Sequence, residues 1–268
     1  MEAKTVQLSS QKIAYYESSG TGAAMLLVHG NSASGLTFKH QLDSALGEKY
    51  RLVAMDLPGH GDSDAVAGQS VYSIPGYAKV VAETAVALGL EDAVLLGWSL
   101  GGHIILEAHN LLPKAAGFMI YGTPPLAFPP AMEAAFLPNP AMGVGFTPEV
   151  NEEQATTFAS AFMAPDSSVD LTPFVHDILR TDGNARGEMG ASIPNGYQDE
   201  VDIVANLTRP LAILHGKEEQ LVSEPYINAL TMPTLWRNEL QIVDGAGHAT
   251  HWEQPKAFNG LLADFLEG

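Results

Sequence analysis

The chain of 268 residues contains no cysteine, which removes a disulfide framework, thiolate metal ligation and a cysteine nucleophile together. Positive charge is scarce: 13 Lys and Arg stand against 31 Asp and Glu, a formal net charge of −18. Nucleic acid and anionic membrane surfaces repel such a chain, so the partner expected is an uncharged or weakly charged small molecule, with the acidity serving solubility. No apolar run approaches the ~18 residues needed to cross a bilayer. The N-terminus Met1-Glu2-Ala3-Lys4-Thr5-Val6 lacks the basic and apolar regions of a secretory signal, and a soluble, cytoplasmic protein is expected. Ligand spacing for metals is missing too. His248-Ala249-Thr250-His251 offers only H-x-x-H, and no H-E-x-x-H exists, so no metal is expected. No G-x-G-x-x-G opens the first helical stretch, so a nucleotide cofactor has no support either.

What is present is ample apolar material, 46% of residues, arranged with a regular alternation. Thr5 to Leu8 and Lys12 to Tyr16 read as an opening hairpin around Ser9-Ser10-Gln11. Short Val- and Ile-enriched runs then recur at Ala24 to Val28, Arg51 to Met55, Asp92 to Leu96, Ala116 to Ile120, Leu211 to Leu214 and Leu240 to Val243, as buried parallel strands do. Helical spacing fills the gaps at Leu36 to Leu46, Ile74 to Leu88, Gly102 to Leu112 and Pro255 to Leu266, with Ser73 placed to cap the second and Pro255 suited to a first turn. This alternation predicts an α/β class: a mostly parallel eight-stranded sheet with helices on both faces.

From Thr123 to about Thr208 the strand rhythm stops, and Pro124, Pro125, Pro129, Pro130, Pro138, Pro140 and Pro148 crowd its first half. Residues 1–122 and 209–268 are therefore expected to form the core, and 123–208 an inserted cap. Phe128, Met132, Phe136, Phe146, Phe158, Phe162 and Met163 give the cap more apolar surface than a solvated loop needs, and some of them should line a pocket.

Gly97-Trp98-Ser99-Leu100-Gly101-Gly102 lies between the run ending at Leu96 and a helical stretch, so Ser99 sits on a strand-to-helix elbow. A serine hydroxyl becomes a useful nucleophile when a tight turn presents it to a base beside backbone N–H groups that receive an oxyanion. The base expected is His248, in the loop after the last strand, because loops at the carboxyl ends of strands converge. His103, His109, His176 and His251 are expected to be ordinary helix or cap histidines. The acid that orients the imidazole is sought in His215-Gly216-Lys217-Glu218-Glu219-Gln220; Glu219 is the choice, with Glu218 the alternative. Oxyanion donors are expected from the amides of Leu100, directly after the serine, and Asn31, after the first parallel strand. The tight loop Asp56 to Ser63 reads as structural.

With Ser99, Glu219 and His248 in this chain order, the sequence resembles the α/β-hydrolase superfamily over almost its whole length. Finer stretches are similar to the α/β-hydrolase type of N-acyl-homoserine lactonase, a bacterial quorum-quenching enzyme: His29 to Gly35, Asp56 to Gly61, Gly97 to His103, Gly122-Thr123-Pro124-Pro125, Arg180-Thr181-Asp182-Gly183 and Gly247-His248-Ala249. Gly-Thr-Pro-Pro and Arg-Thr-Asp-Gly carry most of that resemblance, and a glutamate as the acid agrees with it. The match is poor between Leu126 and Val175.

The resemblance implies ring opening of a lactone by a Ser-His-Glu triad, with the Asn31 and Leu100 amides on the oxyanion and no cofactor. Trp98, Phe38 and Phe158 would then contact the acyl tail. An acyl-enzyme on Ser99 and direct attack by water activated at His248 both fit. So do two other functions: a general carboxylesterase on small acyl esters, and a ligand receptor built on the same fold without turnover.

Overall fold

The computed structural model describes residues 1–66 and 70–268. Among the described residues, eight strands form one sheet: β1 (Lys4–Gln7), β2 (Lys12–Glu17), β3 (Ala24–Val28), β4 (Arg51–Met55), β5 (Val94–Trp98), β6 (Gly117–Tyr121), β7 (Leu211–Gly216) and β8 (Gln241–Val243). Their order across the sheet is β1-β2-β4-β3-β5-β6-β7-β8. The hairpin β1–β2 and the β2–β4 pair are antiparallel, and every later pair is parallel. Every residue of β5, β6 and β7 is buried. That requires cover on both faces, which explains why these segments read as continuous apolar runs instead of alternating ones.

The order of strands locates the site. From β3 the chain crosses to β4 on one side, then returns to β5 on the other, so the loops leaving β3 and β5 diverge and open a crevice at their carboxyl ends. Val28 and Gly97 are register partners, which brings the Gly30–Asn31 turn and the Ser99 elbow to neighbouring strand ends.

Among the helices, Ile74–Leu88 takes its N-cap from Ser73, whose hydroxyl accepts from the Gly76 amide, and it stops at Gly89 in the left-handed region, φ 64°. Pro255–Glu267 begins on its proline. The stretch expected as one helix over Leu36 to Leu46 is three shorter pieces: a 3₁₀ turn at Gly35–Phe38, then Lys39–Leu42 and Ala45–Lys49. Ser44 breaks it, since the side chain that caps the last piece at Leu46 N also bonds back to Gln41 O. The helix expected over Gly102 to Leu112 begins earlier, at Leu100, and ends at Glu107 before a 3₁₀ turn.

Between β6 and β7 the chain contributes no strand to the sheet. It runs instead through helices, including Glu152–Ser160, Thr172–Arg180, Gly183–Ser192 and Glu200–Asn206. Contacts tie this excursion to the core loops: Asp182 N donates to Gly59 O at 2.8 Å, Tyr72 Oη to Asp182 at 2.7 Å, and Arg180 pairs with Asp62. No helix among the described residues is long and apolar enough to cross a membrane.

Candidate active site

β5 ends at Trp98 and the helix Leu100–Glu107 starts two residues later. The turn is made by Ser99 itself, at φ 54° and ψ −121°, a conformation an L-residue holds only when its surroundings impose it. They do: Ser99 N donates to Tyr121 O at 2.9 Å, and Thr123 Oγ1 donates to Ser99 O at 2.8 Å. The elbow also packs backbone on backbone. A Cβ on Gly101 would stand 2.1 Å from Val28 O, and neither partner has a flexible end to move. Gly101→Ala is therefore expected to destabilise the fold by about 3 kcal/mol or more. Gly143→Ala, where a Cβ meets nothing within 4 Å, should be close to neutral. Denaturant unfolding of the two variants checks this, and equal midpoints would contradict it.

His248 follows β8, and Glu219 follows β7. His248 Nδ1 stands 2.9 Å from Glu219 Oε2 with both side chains only 2% exposed. The second carboxylate oxygen accepts from Leu221 N at 2.8 Å. Burial drives the Glu219 carboxyl up, but the adjacent imidazole and these two hydrogen bonds outweigh it and leave the group below its ordinary range. A carboxylate at Nδ1 fixes the Nδ1–H tautomer. Nε2 is then the basic atom; it is buried and has no hydrogen-bond partner among the described residues. Glu218 does something different. Its carboxylate accepts from Ala246 N at 3.0 Å and its own amide donates to Ala246 O at 3.0 Å, which stitches the acid loop to the histidine loop.

Three further groups hold the imidazole in place. Trp98 Nε1 donates to His248 O at 2.9 Å, Glu253 accepts from Gly247 N at 2.7 Å, and the Phe162 ring stacks on His248 at 5.9 Å between centroids. Gly122, at φ +60°, leaves room for the ring, because a Cβ there would lie 2.6 Å from His248 Cε1. None of these supports was identified from the sequence as serving the histidine.

Leu100 is the first residue of its helix, where an amide has no intrahelical acceptor and the dipole favours negative charge. Asn31 lies on the turn after β3, and a Cβ on the preceding Gly30 would come within 3.0 Å of Ser99 Cβ. The Asn31 side chain donates to Gly145 O at 2.6 Å and accepts from Ser32 Oγ at 3.0 Å, fixing the turn to the excursion above it. Beneath the turn, burial holds His29 well below the ordinary imidazole range and pushes His60 down to about 4. Neutral His29 accepts from Leu57 N through Nε2 at 3.0 Å, bracing one loop on the next.

Ser99, His248, Asn31 and Leu100 open into one cleft of about 860 Å³, its solvent mouth included. Its walls are apolar: Trp98, Leu126, Met132, Phe136, Met142, Phe146, Phe158, Phe162, Met189, Ile193 and Leu221 among others. Trp98 and Phe158 both line this cleft. Phe38 does not; it is fully buried outside the cleft wall, packed on the His251 ring at 5.2 Å. Of the other aromatic candidates, Phe128 is 42% exposed and lies edge-on to Tyr197. One polar pair went unnoticed in the sequence. His103, on the wall, places Nδ1 2.8 and 2.9 Å from the two oxygens of fully buried Glu200.

The loop after β4 has a titrating centre. Asp56 is buried, accepts from Gly35 N at 2.6 Å and Asp62 N at 2.8 Å, and lies near Asp177. Burial pushes its carboxyl up to about 7, against the pull of those two amides. Below pH ~4 the group is protonated in folded and unfolded chains alike. As pH rises the unfolded chain releases its proton first, so stability is lost progressively up to and through pH 7. Melting temperature should accordingly fall between pH 4 and 7 more steeply in the native protein than in Asp56→Asn. The slope is the quantity to read, since an amide keeps only one accepting oxygen; identical slopes would contradict a raised Asp56.

Among the described residues, no three His, Asp or Glu side chains cluster as a metal site requires. The arrangement is an imidazole held by a carboxylate, a serine on a strained elbow and an apolar cleft closed by the excursion between β6 and β7.

Comparison with known proteins agrees with the fold. The chain is similar to the pimeloyl-[acyl-carrier protein] methyl ester esterase of Xylella fastidiosa (strain M12), 26% identical over 260 residues that cover 94% of this chain and 98% of that one. It superposes on the N-acyl homoserine lactonase AidH, complexed with N-butanoyl homoserine, with a TM-score of 0.94 and 35% identity, covering 100% of this chain and 97% of that one. An esterase from Exiguobacterium antarcticum shares the fold at a TM-score of 0.80 and 19% identity, with each chain covered completely. A family model described as the alpha/beta hydrolase family matches residues 25–261, and the chain belongs to that family.

Proposed function

We propose that this protein is a serine hydrolase that opens the lactone ring of N-acyl-homoserine lactones. Ser99 Oγ attacks the ring carbonyl while His248 Nε2 takes its proton, and Glu219 holds the imidazole and stabilises its charged form. The tetrahedral oxyanion is received by the amides of Asn31 and Leu100. Collapse breaks the ring C–O bond, with His248 returning the proton to the departing ring oxygen. Water activated by the same nitrogen then attacks the acyl-enzyme and releases N-acyl-homoserine. Residues 123–208 act as the cap over the core formed by 1–122 and 209–268, and Trp98 and Phe158 contribute to the surface that takes the acyl chain. No cofactor enters the scheme.

The observation that carries the lactone over a simple ester is the likeness to AidH at 35% identity along the whole chain, cap included. A second reading, a carboxylesterase acting on open-chain acyl esters, draws support from the esterase relative at 26% identity. The same serine and imidazole would serve both. Incubation of purified protein with a panel of acyl-homoserine lactones and matching linear esters, read by mass spectrometry, separates them. The lactones should gain one water over many turnovers per protein molecule. Intact lactones beside cleaved p-nitrophenyl acetate would give the carboxylesterase. Saturable binding with at most one product per molecule would instead give a receptor.

A further inference from the structure

Ser99 stands at the N-cap of the helix Leu100–Glu107, and His103 lies in the first turn of that helix, four residues further on. Both line the cleft. The buried Glu200 carboxylate, which also accepts from Leu126 N at 2.8 Å, holds His103 Nδ1 at 2.8 and 2.9 Å. Nδ1–H is thereby committed, and in the neutral imidazole Nε2 is the ring atom whose lone pair is left for a ligand. Two other polar side chains of the wall are already engaged: Tyr197 Oη donates to Ala127 O at 2.8 Å and the Asn31 amide to Gly145 O at 2.6 Å. Beside Ser99 and His248, the wall thus carries at His103 an imidazole oriented by a buried carboxylate, one helical turn beyond the nucleophile.

From this geometry we infer that the His103–Glu200 pair is a specificity device that reads a hydrogen-bond donor beside the scissile carbonyl. In the substrate class proposed above, on which this inference rests, the donor is the acylamino N–H, two bonds from the carbonyl carbon. His103 Nε2 accepts it, while Glu200 is the positioning residue that fixes the tautomer. A site built to bond an N–H discriminates against an analogue lacking it, because the acceptor is then left facing another acceptor.

The test compares kcat/KM of the unaltered protein for N-hexanoyl-homoserine lactone and for its oxygen analogue, α-hexanoyloxy-γ-butyrolactone. The expected preference for the amide is at least about tenfold. In the double variant His103→Leu/Glu200→Gln, which removes the buried charge together with its partner, the preference should shrink to about twofold or less. Equal or faster turnover of the oxygen analogue by the unaltered protein would overturn the inference and leave the lactonase reading standing. An undiminished preference in the folded double variant would also overturn it, since another group would then be reading the N–H. Turnover of neither lactone would sink the lactonase reading and take this inference with it.

Discussion

Replacing Ser99 with alanine is expected to lower kcat on N-acyl-homoserine lactones by roughly 10⁴- to 10⁶-fold, and His248→Ala by a similar amount. In the proposed mechanism the two act as a unit. Without the hydroxyl the imidazole has no serine proton to take, and without the imidazole the hydroxyl remains a weak nucleophile at neutral pH. The double variant should therefore be no worse than about tenfold below either single one, because residual rate comes from the oxyanion amides and the cleft, which both substitutions leave in place. Ser99 has unusual backbone angles, φ 54° and ψ −121°, and alanine tolerates that strain no better than serine does. Unfolding midpoints should consequently change little. Single-turnover kinetics beside unfolding curves check both statements, and additive losses in the double variant would contradict the shared role.

Glu219→Ala is expected to cost roughly 10²- to 10⁴-fold in kcat, with Glu218→Ala staying within about tenfold. The two neighbours differ in what they touch. Glu219 accepts from His248 Nδ1 at 2.9 Å, so its removal frees the imidazole to rotate and to adopt the tautomer that presents a proton, not a lone pair, to the serine. Glu218 accepts from Ala246 N, and its loss loosens a loop without changing that tautomer. Glu219→Ala also strands the Leu221 amide, which loses its acceptor at 2.8 Å, at a cost of about 1–3 kcal/mol in stability. Rates corrected for the folded fraction separate the two effects. Near-normal turnover in Glu219→Ala together with a collapse in Glu218→Ala would exchange their assignments.

Much of the fold could be read along the chain because its determinants are local. β3 and β4 coincide with Ala24 to Val28 and Arg51 to Met55, and the helix Ile74–Leu88 has the bounds its Ser73 cap and apolar spacing predict. β5 and β6 begin one or two residues later than their apolar runs, and β7 continues through His215 and Gly216, since burial in the sheet extends over residues whose own propensity says little. The elbow was legible from its glycines and the strand before it.

What escaped the sequence was long-range partnership. His103 is 97 residues from Glu200; the spacing of four from Ser99 was a usable signal for the histidine, but nothing local marked the glutamate. In sequence Trp98 suggests only a contact surface, while its indole N–H bond to His248 O spans 150 residues. Phe38 escapes such a reading because an aromatic on a short helix near the Asn31 turn looks the same in sequence whether it faces the cleft or, as here, the buried His251 ring. The choice between adjacent carboxylates at 218 and 219 depends on the twist of a loop, which residue identity alone does not specify.

If the hydroxyl of Ser99 performs the proposed lactone chemistry in this cleft, titration with a fluorophosphonate ester should silence it. Peptide mapping after partial labelling should find the phosphonyl group on Ser99, and residual acyl-homoserine lactone hydrolysis should fall in proportion to occupancy, reaching background at one label per chain. Ring opening that persists at full occupancy of Ser99 would contradict the account.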